Sequence, residues 1–226
     1  MRQAHAGLAQ HGFAVFAHAQ TAGKGQRNKQ WQAQPGANLM LSVVLEPASL
    51  FTQPSFVFSM AMAVAAYGLL KKFAGPAVKI KWPNDLYIRD RKAGGILIEN
   101  VLGGGLWKFA VVGIGLNINQ IEFGDLQDKA VSLKQITGKN NNTITLAKDL
   151  CAEIAAVLKK LETNPEAVID TYHQQLYKRG EWVKLKKGAR VFKAQVKAIN
   201  TAGQLVVQHA VEEAFDVGEI EWVLED

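Results

Sequence analysis

Trp107-Lys-Phe-Ala-Val-Val-Gly-Ile-Gly-Leu116 decides the fold. A short, continuously apolar run of this composition reads as a strand. It belongs at the centre of a sheet with both faces covered. Working back from it, Gly103-Gly104-Gly105 marks a hairpin turn that returns to a strand over residues 95–99. Further strands are expected over 78–82 and 86–89, and earlier over 13–17 and 38–45. Residues 54–73, dense in Ala, Met and Leu, predict a largely buried helix with Pro54 in its first turn. Residues 2–11 also read as helix, ended by Gly12.

Downstream, Thr143 or Thr145 is the expected cap of a helix running to about Leu161. Leu146, Leu150, Ile154, Val157, Leu158 and Leu161 recur at intervals of three and four. Asn164-Pro165 opens another helix, to about Tyr177. After Gly180 the pattern changes to short alternating strands over 182–185, 190–199, 204–209 and 213–217, which predicts a small β-barrel. The expected fold class is therefore α/β: strands with flanking helices over residues 1–179, and a small barrel over 180–226.

Several chemistries are excluded early. The single cysteine, Cys151, rules out a disulfide within the chain and a cysteine-built zinc site. The five histidines are scattered at no metal-binding spacing, so no metal-ligating residue is assigned. The loop Gly23-Lys-Gly-Gln-Arg-Asn28 lacks the third glycine of a dinucleotide fingerprint, and no phosphate-binding P-loop occurs. There is no Gly-x-Ser-x-Gly elbow. No stretch approaches the ~20 apolar residues of a membrane span, and the N-terminus opens no signal-type run. A cytoplasmic protein is expected, without membrane partners.

The net charge is +6, unevenly placed. Residues 1–179 carry 20 Lys/Arg against 12 Asp/Glu, whereas 180–226 carry 6 against 8. The basic excess gathers in two loop-rich stretches, 24–29 and 79–92, which would suit an anionic ligand or an acidic partner. The barrel offers no aromatic stacking platform, so a nucleic-acid partner is not expected.

Four segments carry a resemblance. They are Gln20-Thr-Ala-Gly-Lys-Gly-Gln-Arg-Asn-Lys-Gln-Trp31 with Pro35-Gly-Ala-Asn-Leu39; Lys81-Trp-Pro-Asn-Asp85; Arg91-Lys-Ala-Gly-Gly-Ile-Leu-Ile-Glu99; and Gly113-Ile-Gly-Leu-Asn-Ile-Asn119. In this order and spacing they resemble the catalytic core of biotin–protein ligases, over about residues 5–180, and the terminal barrel fits the SH3-like domain of that family. The resemblance implies a class II synthetase-like catalytic core, a mixed sheet with flanking helices. It also implies ATP and biotin as substrates with Mg²⁺ present, and a biotin carboxyl carrier domain as protein partner. A homodimer is compatible with it.

The resemblance also assigns roles. Lys92 matches the lysine that contacts the biotin carboxyl and the phosphate. Asp85, at the end of the matching Lys81–Asp85 segment, is the candidate to orient or deprotonate the carrier lysine, or to help place Mg²⁺. Gly23, Lys24, Gly25, Gln26 and Arg27 form the ligand loop. Gln20 contacts biotin, Trp31 stacks on adenine, and Asn117 reads the adenine edge. Asn84, Gly94 and Gly95 complete the ligand-binding set, the glycines by letting the strand approach the biotin ring. The family usually has Arg where this chain has Gln26, which leaves open whether Gln26 or Arg27 acts there. The strand with Ser-Thr-Asn that opens family cores is not among these residues, so weaker biotin binding than in a longer form is expected. Nor is a winged-helix segment, so a DNA-binding regulator role is not expected. Two alternatives stay open: a lipoate-type ligase or acyl transferase of the same fold, and a catalytically impaired binder of biotin or its adenylate.

Overall fold

The computed structural model describes residues 9–28, 30–47, 50–51 and 55–223. The helix expected over 2–11 falls mainly outside them, and residues 9–11 are coil and turn. The first sheet comprises β1 (Ala14–Phe16), β2 (Leu39–Leu45), β3 (Val78–Lys81), β4 (Asp85–Ile88), β5 (Arg91–Gly103) and β6 (Leu106–Leu116), in the order β1-β2-β6-β5-β4-β3. Each named pair is antiparallel, and the parallel contacts are isolated bridges such as Ile80 with Leu176. The sheet expected to be mixed is thus antiparallel. Short hairpin links, rather than helical crossovers, join β3 through β6, and such links can only reverse the chain.

The central strand is where its apolar run placed it, but its two faces differ. Ala110, Val112, Ile114 and Leu116 point into the main core, all nearly solvent-free. On the other face Gly113 and Gly115 are half-buried. The helices α1 (Phe56–Ala74), α3 (Thr143–Thr163) and α4 (Pro165–Gln174) pack against one another and against the first face. The expectation of cover on both faces is corrected: helices cover one face, and the opposite face carries the candidate site.

Helix α1 is apolar around its circumference, from Phe58 through Leu70, which suits only a fully buried position. Ser55 caps it, its hydroxyl accepting from Val57 N–H at 3.2 Å. By length and hydropathy this helix could cross a membrane, contrary to the sequence expectation. It is instead packed into the core, with 56% of its most apolar window buried. Helix α3 is capped by Asn142 rather than by either threonine. The Asn142 Oδ1 accepts from both Ile144 N–H and Thr145 N–H. A one-turn helix, α2 (Leu133–Thr137), had not been expected.

The second sheet holds β7 (Trp182–Lys187), β8 (Arg190–Ile199), β9 (Leu205–Gln208), β10 (Glu212–Phe215) and β11 (Glu221–Val223), in the order β10-β9-β8-β7-β11. Its interior residues, among them Leu185, Val196, Leu205 and Phe215, join the same core cluster as the first sheet. Three contacts fix the joint. Trp82 Nε1 donates to the Gly203 carbonyl at 2.8 Å. The Phe56 ring fills the space that a Cβ on Gly203 would need. Lys81, only 7% exposed, donates to Tyr87 Oη at 3.0 Å and lies 4.5, 5.7 and 5.3 Å from the ring centres of Tyr87, Tyr177 and Trp222. Such a cage holds an ammonium by the negative faces of the rings.

Candidate functional site

The open face of the first sheet has a floor without side chains. In the β5–β6 register Gly95 stands opposite Gly115, and Leu97 opposite Gly113. Because side chains alternate along a strand, Gly95, Gly113 and Gly115 all bare the same face. Gly94 is of the other kind. A Cβ there would meet Leu116 Cδ2 at 2.5 Å and the Gly115 carbonyl at 2.7 Å, so core packing alone requires its glycine.

Over this floor stands an ion pair. Lys92 Nζ lies 2.6 Å from Asp85 Oδ1. A Cβ on Gly95 would be 3.2 Å from Asp85 Oδ1 and 3.3 Å from Lys92 Nζ, which places both charges above that glycine. The β4–β5 hairpin makes the meeting. Asp85 pairs with Gly95, and an irregularity between Leu86 and Tyr87 shifts the register so that Lys92 pairs with Tyr87. Asn84 locks the strand beside it, donating from Nδ2 to the Ile96 carbonyl at 2.5 Å while its own carbonyl accepts from Ile96 N–H.

Asn117 secures Lys92 from the opposite strand. It is 5% exposed, and its Nδ2 donates to the carbonyls of Lys92 and Val131, each at 3.2 Å. Both amide protons are thereby committed to backbone, so any reading of a base falls to its Oδ1. The next residue, Ile118, donates to the fully buried Asn38, which in turn bonds Gln120 at 2.6 Å.

The loop rich in Gly and Lys closes on itself beside the floor. Trp31 N–H donates to the Gly23 carbonyl at 2.9 Å, and Lys24 bridges Gln30. Gly23 is required there, because a Cβ would meet the Trp31 carbonyl and stand 2.9 Å from Gln20 Oε1. Gln20, Gly23 and Trp31 are thus brought together. The Trp31 indole lies on the floor: a Cβ on Gly115 would be 2.7 Å from its Cε2 and Cζ2. Lys24 is exposed, and Gly25 and Gln26 are half-buried. Arg27 is turned the other way, its guanidinium lying against Gly218 in the turn between β10 and β11.

Gln26 faces a cavity of about 190 Å³, bounded by Ser55, Phe58, Ile96 and Val217. This cavity is smaller than the ~300–1,000 Å³ of ordinary ligand pockets and holds no charged side chain. It shares the core-facing side of β5 with Ile96, so the glycine floor is the better candidate site.

Some of the basic stretch 79–92 serves the joint between the two sheets. Lys81 sits in its aromatic cage, and Lys79 donates to Gln175 Oε1 at 3.1 Å. Asp90, accepting from the Tyr177 hydroxyl at 2.6 Å and facing Lys178 at 3.3 Å, has its carboxyl held below the usual carboxylate range, chiefly by the tyrosine bond. Burial pushes the Tyr87 and Tyr177 hydroxyls up, so both stay protonated, Tyr87 accepting from Lys81 and Tyr177 donating to Asp90. Sequence reasoning did not place Gly113, Gly115 or Asn38 in the site. The alternation of Gly113 and Gly115 along one strand was the available signal for the bare face.

The family model described as the biotin/lipoate A/B protein ligase family matches residues 4–117. The bifunctional ligase/repressor BirA of Escherichia coli K12 is 34% identical over 157 residues, covering 67% of this chain and 47% of that protein. The biotin–[acetyl-CoA-carboxylase] ligase of Paracoccus denitrificans is 38% identical over 109 residues, covering 46% of this chain and 43% of that protein. The chain thus spans less than half the length of these curated relatives. The solved biotin protein ligase of Aquifex aeolicus, in complex with biotin and ATP, superposes with a TM-score of 0.80 at 24% identity, over 96% of this chain and 91% of that one.

Proposed function

Because this chain belongs to the biotin/lipoate A/B protein ligase family, we propose that it joins biotin to a lysine of a biotin carboxyl carrier domain by way of biotinyl-5′-AMP. The observation that carries this reading is the Lys92–Asp85 pair standing over the Gly95 floor, with Trp31 lying on Gly115 beside it. A ring laid on bare backbone, with a cation and a carboxylate beside it, suits a carboxylic acid activated by a nucleotide.

In the first step a carboxylate oxygen of biotin attacks the α-phosphorus of ATP. The bond to the bridging oxygen of the β-phosphate breaks, and pyrophosphate leaves. Two anions must meet, and the Lys92 ammonium offsets their repulsion while Asp85 and Asn117 fix its position. In the second step the carrier amine attacks the acyl carbon, the bond to AMP breaks, and the nitrogen sheds a proton. Asp85 is the carboxylate placed to orient that amine and accept the proton. Gln20, Gly23, Lys24 and Gly25 line the ligand side and Trp31 packs against the bound adenylate, whereas Gln26, expected in the same set, faces the cavity on the core-facing side of β5.

Among the described residues no group of three or more His, Cys, Asp or Glu is arranged to hold a metal, and Asp85 is engaged with Lys92. Mg²⁺ is expected with the triphosphate, as part of the nucleotide substrate. We assign residues 1–179 to the catalytic domain and 180–226 to the SH3-like domain. A reducing, cytoplasmic setting fits the single cysteine.

Transfer of labelled biotin to a carboxylase carrier domain, with ATP and Mg²⁺, tests the reading, with lipoate assayed alongside. Biotin-specific labelling is expected. Labelling by lipoate alone points to the other branch of the family, and adenylate binding without pyrophosphate exchange to a non-catalytic binder. Gly115→Ala tests the floor. Its Cβ would lie 2.7 Å from the Trp31 ring, and overpacking of this kind costs about 1–3 kcal/mol. The expected outcome is biotin affinity lowered by at least roughly tenfold, with a shifted Trp31 fluorescence spectrum. Unchanged affinity would remove the floor from the binding site.

A further inference from the structure

A second ammonium stands on the same sheet face as the Lys92–Asp85 pair. The strand register sets Lys81 opposite Asp85, Asp85 opposite Gly95, and Tyr87 opposite Lys92. Cross-strand partners share a face, whereas Ile80 and Leu86, paired between them, turn into the core. The face thus carries Lys81 on β3, Asp85 and Tyr87 on β4, and Lys92 on β5. The two lysines are held differently. Lys92 is half-buried and lies 2.6 Å from Asp85. Lys81 is buried and turned onto Tyr87, its ammonium 3.0 Å from the hydroxyl and 4.5 Å from the ring centre. The Tyr177 ring also packs on Tyr87, centre to centre at 5.0 Å. Tyr177 in turn donates to Asp90, in the turn that leads into Lys92. The charge of Lys81 reaches this turn too, since the Asp90 carboxyl is held low first by the Tyr177 bond and then by Lys178 and Lys81.

We propose that Lys81 is a positioning residue for the catalytic pair: by claiming the ring and hydroxyl of Tyr87, it confines the Lys92 ammonium to Asp85, above the Gly95 floor. What the pair does rests on the function proposed above; the contacts do not. Directly opposed residues have Cβ atoms about 4.5–5.5 Å apart, so the Tyr87 ring lies within reach of the Lys92 stem. The face of such a ring attracts an ammonium and would compete with Asp85 for Lys92. Lys81 occupies that competing place, and its fixed charge repels a second cation from it. Reaction rate depends steeply on such placement, a shift of about 1 Å costing about 10²-fold.

The full chain is compared with Lys81→Met, Tyr87→Phe, Lys92→Ala and the Lys81→Met/Lys92→Ala double variant. Methionine fills the cage with an uncharged chain of similar length, an exchange that a fold tolerates well. In Lys81→Met, kcat for biotin-dependent pyrophosphate exchange is expected to fall roughly 10–10²-fold, with KM for biotin and ATP within about twofold. In the Lys92→Ala background the same substitution adds less than about twofold, because the group it positions is gone. Tyr87→Phe keeps the ring and loses the hydroxyl, so kcat falls in the same direction by a smaller factor. Hydrogen exchange of the free protein, read by mass spectrometry, rises in Lys81→Met over the hairpin peptide 84–95 and holds over the barrel peptide 182–199. A normal kcat in folded Lys81→Met overturns the proposal, as do losses that multiply with those of Lys92→Ala. Exchange that rises equally over the barrel also overturns it, because Lys81 then only joins the two sheets. If Lys81→Met does not fold, Tyr87→Phe decides, and a normal kcat there overturns the proposal. A wild-type chain that forms no adenylate from biotin and ATP overturns the activity reading, and exchange over the hairpin alone then decides the contact.

Discussion

Lys92→Ala is expected to reduce biotin-dependent ATP–pyrophosphate exchange by roughly 10²–10³-fold, the loss found when one preorganised charge-stabilising donor is removed from an active site. The substitution removes the cation set above the glycine floor, where the carboxylate and the α-phosphate must meet. The fold should survive it. The Lys92 side chain is 36% exposed, and its ion partner is Asp85, itself at the same open face. The strand is held through backbone, by Asn117 on the Lys92 carbonyl and by Lys92 N–H on the Lys129 carbonyl, and alanine keeps both bonds. A melting temperature within a few degrees of wild type should therefore accompany the lost exchange. Near-normal exchange in a folded Lys92→Ala protein would withdraw the assignment.

Asp85→Asn separates the two half-reactions. The amide is nearly isosteric and still presents an oxygen to Lys92, so adenylate formation should change only a few-fold. Transfer to the carrier lysine should fall by about 10²–10⁴-fold, the range attributed to a positioned general base. Single-turnover transfer from preformed biotinyl-adenylate measures the second step alone. If the two steps fall together, Asp85 acts only by holding Lys92 at 2.6 Å, and the carrier amine finds its base elsewhere.

Much of this site was legible because its parts are local. Lys92, Asp85, Gly23 and Trp31 each lie in a short motif on a strand end or loop, and each motif keeps its meaning wherever the chain carries it. Their meetings were not legible. The Asp85–Lys92 contact depends on a register shift within a four-residue strand, and Trp31 reaches Gly115 across the open face. Nor does sequence state where a side chain is turned: Arg27 was a candidate loop cation, and its guanidinium lies on the barrel. Lys81 read as part of a basic surface, yet three aromatic rings from separate elements enclose it.

Among the secondary elements, the long helices and most strands followed their periodicity, while their ends depended on competing groups. Asn142, Thr143 and Thr145 are all acceptable caps by residue type. Asn142 caps because its Oδ1 reaches two N–H groups at once. The one-turn helix α2 is too short for any period, but its capping box of Ser132 and Gln135 is a pattern the sequence does display. The mixed sheet was inferred from fold class, whereas the short links between β3 and β6 already favour hairpins.

Helix α1 has a consequence in the order of synthesis. It is apolar on every side, and its cover arrives late: α3 begins at Thr143, roughly 70 residues after α1 ends at Ala74, a gap of ~4–14 s at about 5–20 residues per second on the ribosome. For that interval the most hydrophobic segment of the chain has left the exit tunnel before the surface that will hide it exists. Any hydrophobic binder at the tunnel mouth meets α1 first, so the yield of folded enzyme depends on timing during translation as well as on the stability of the finished core.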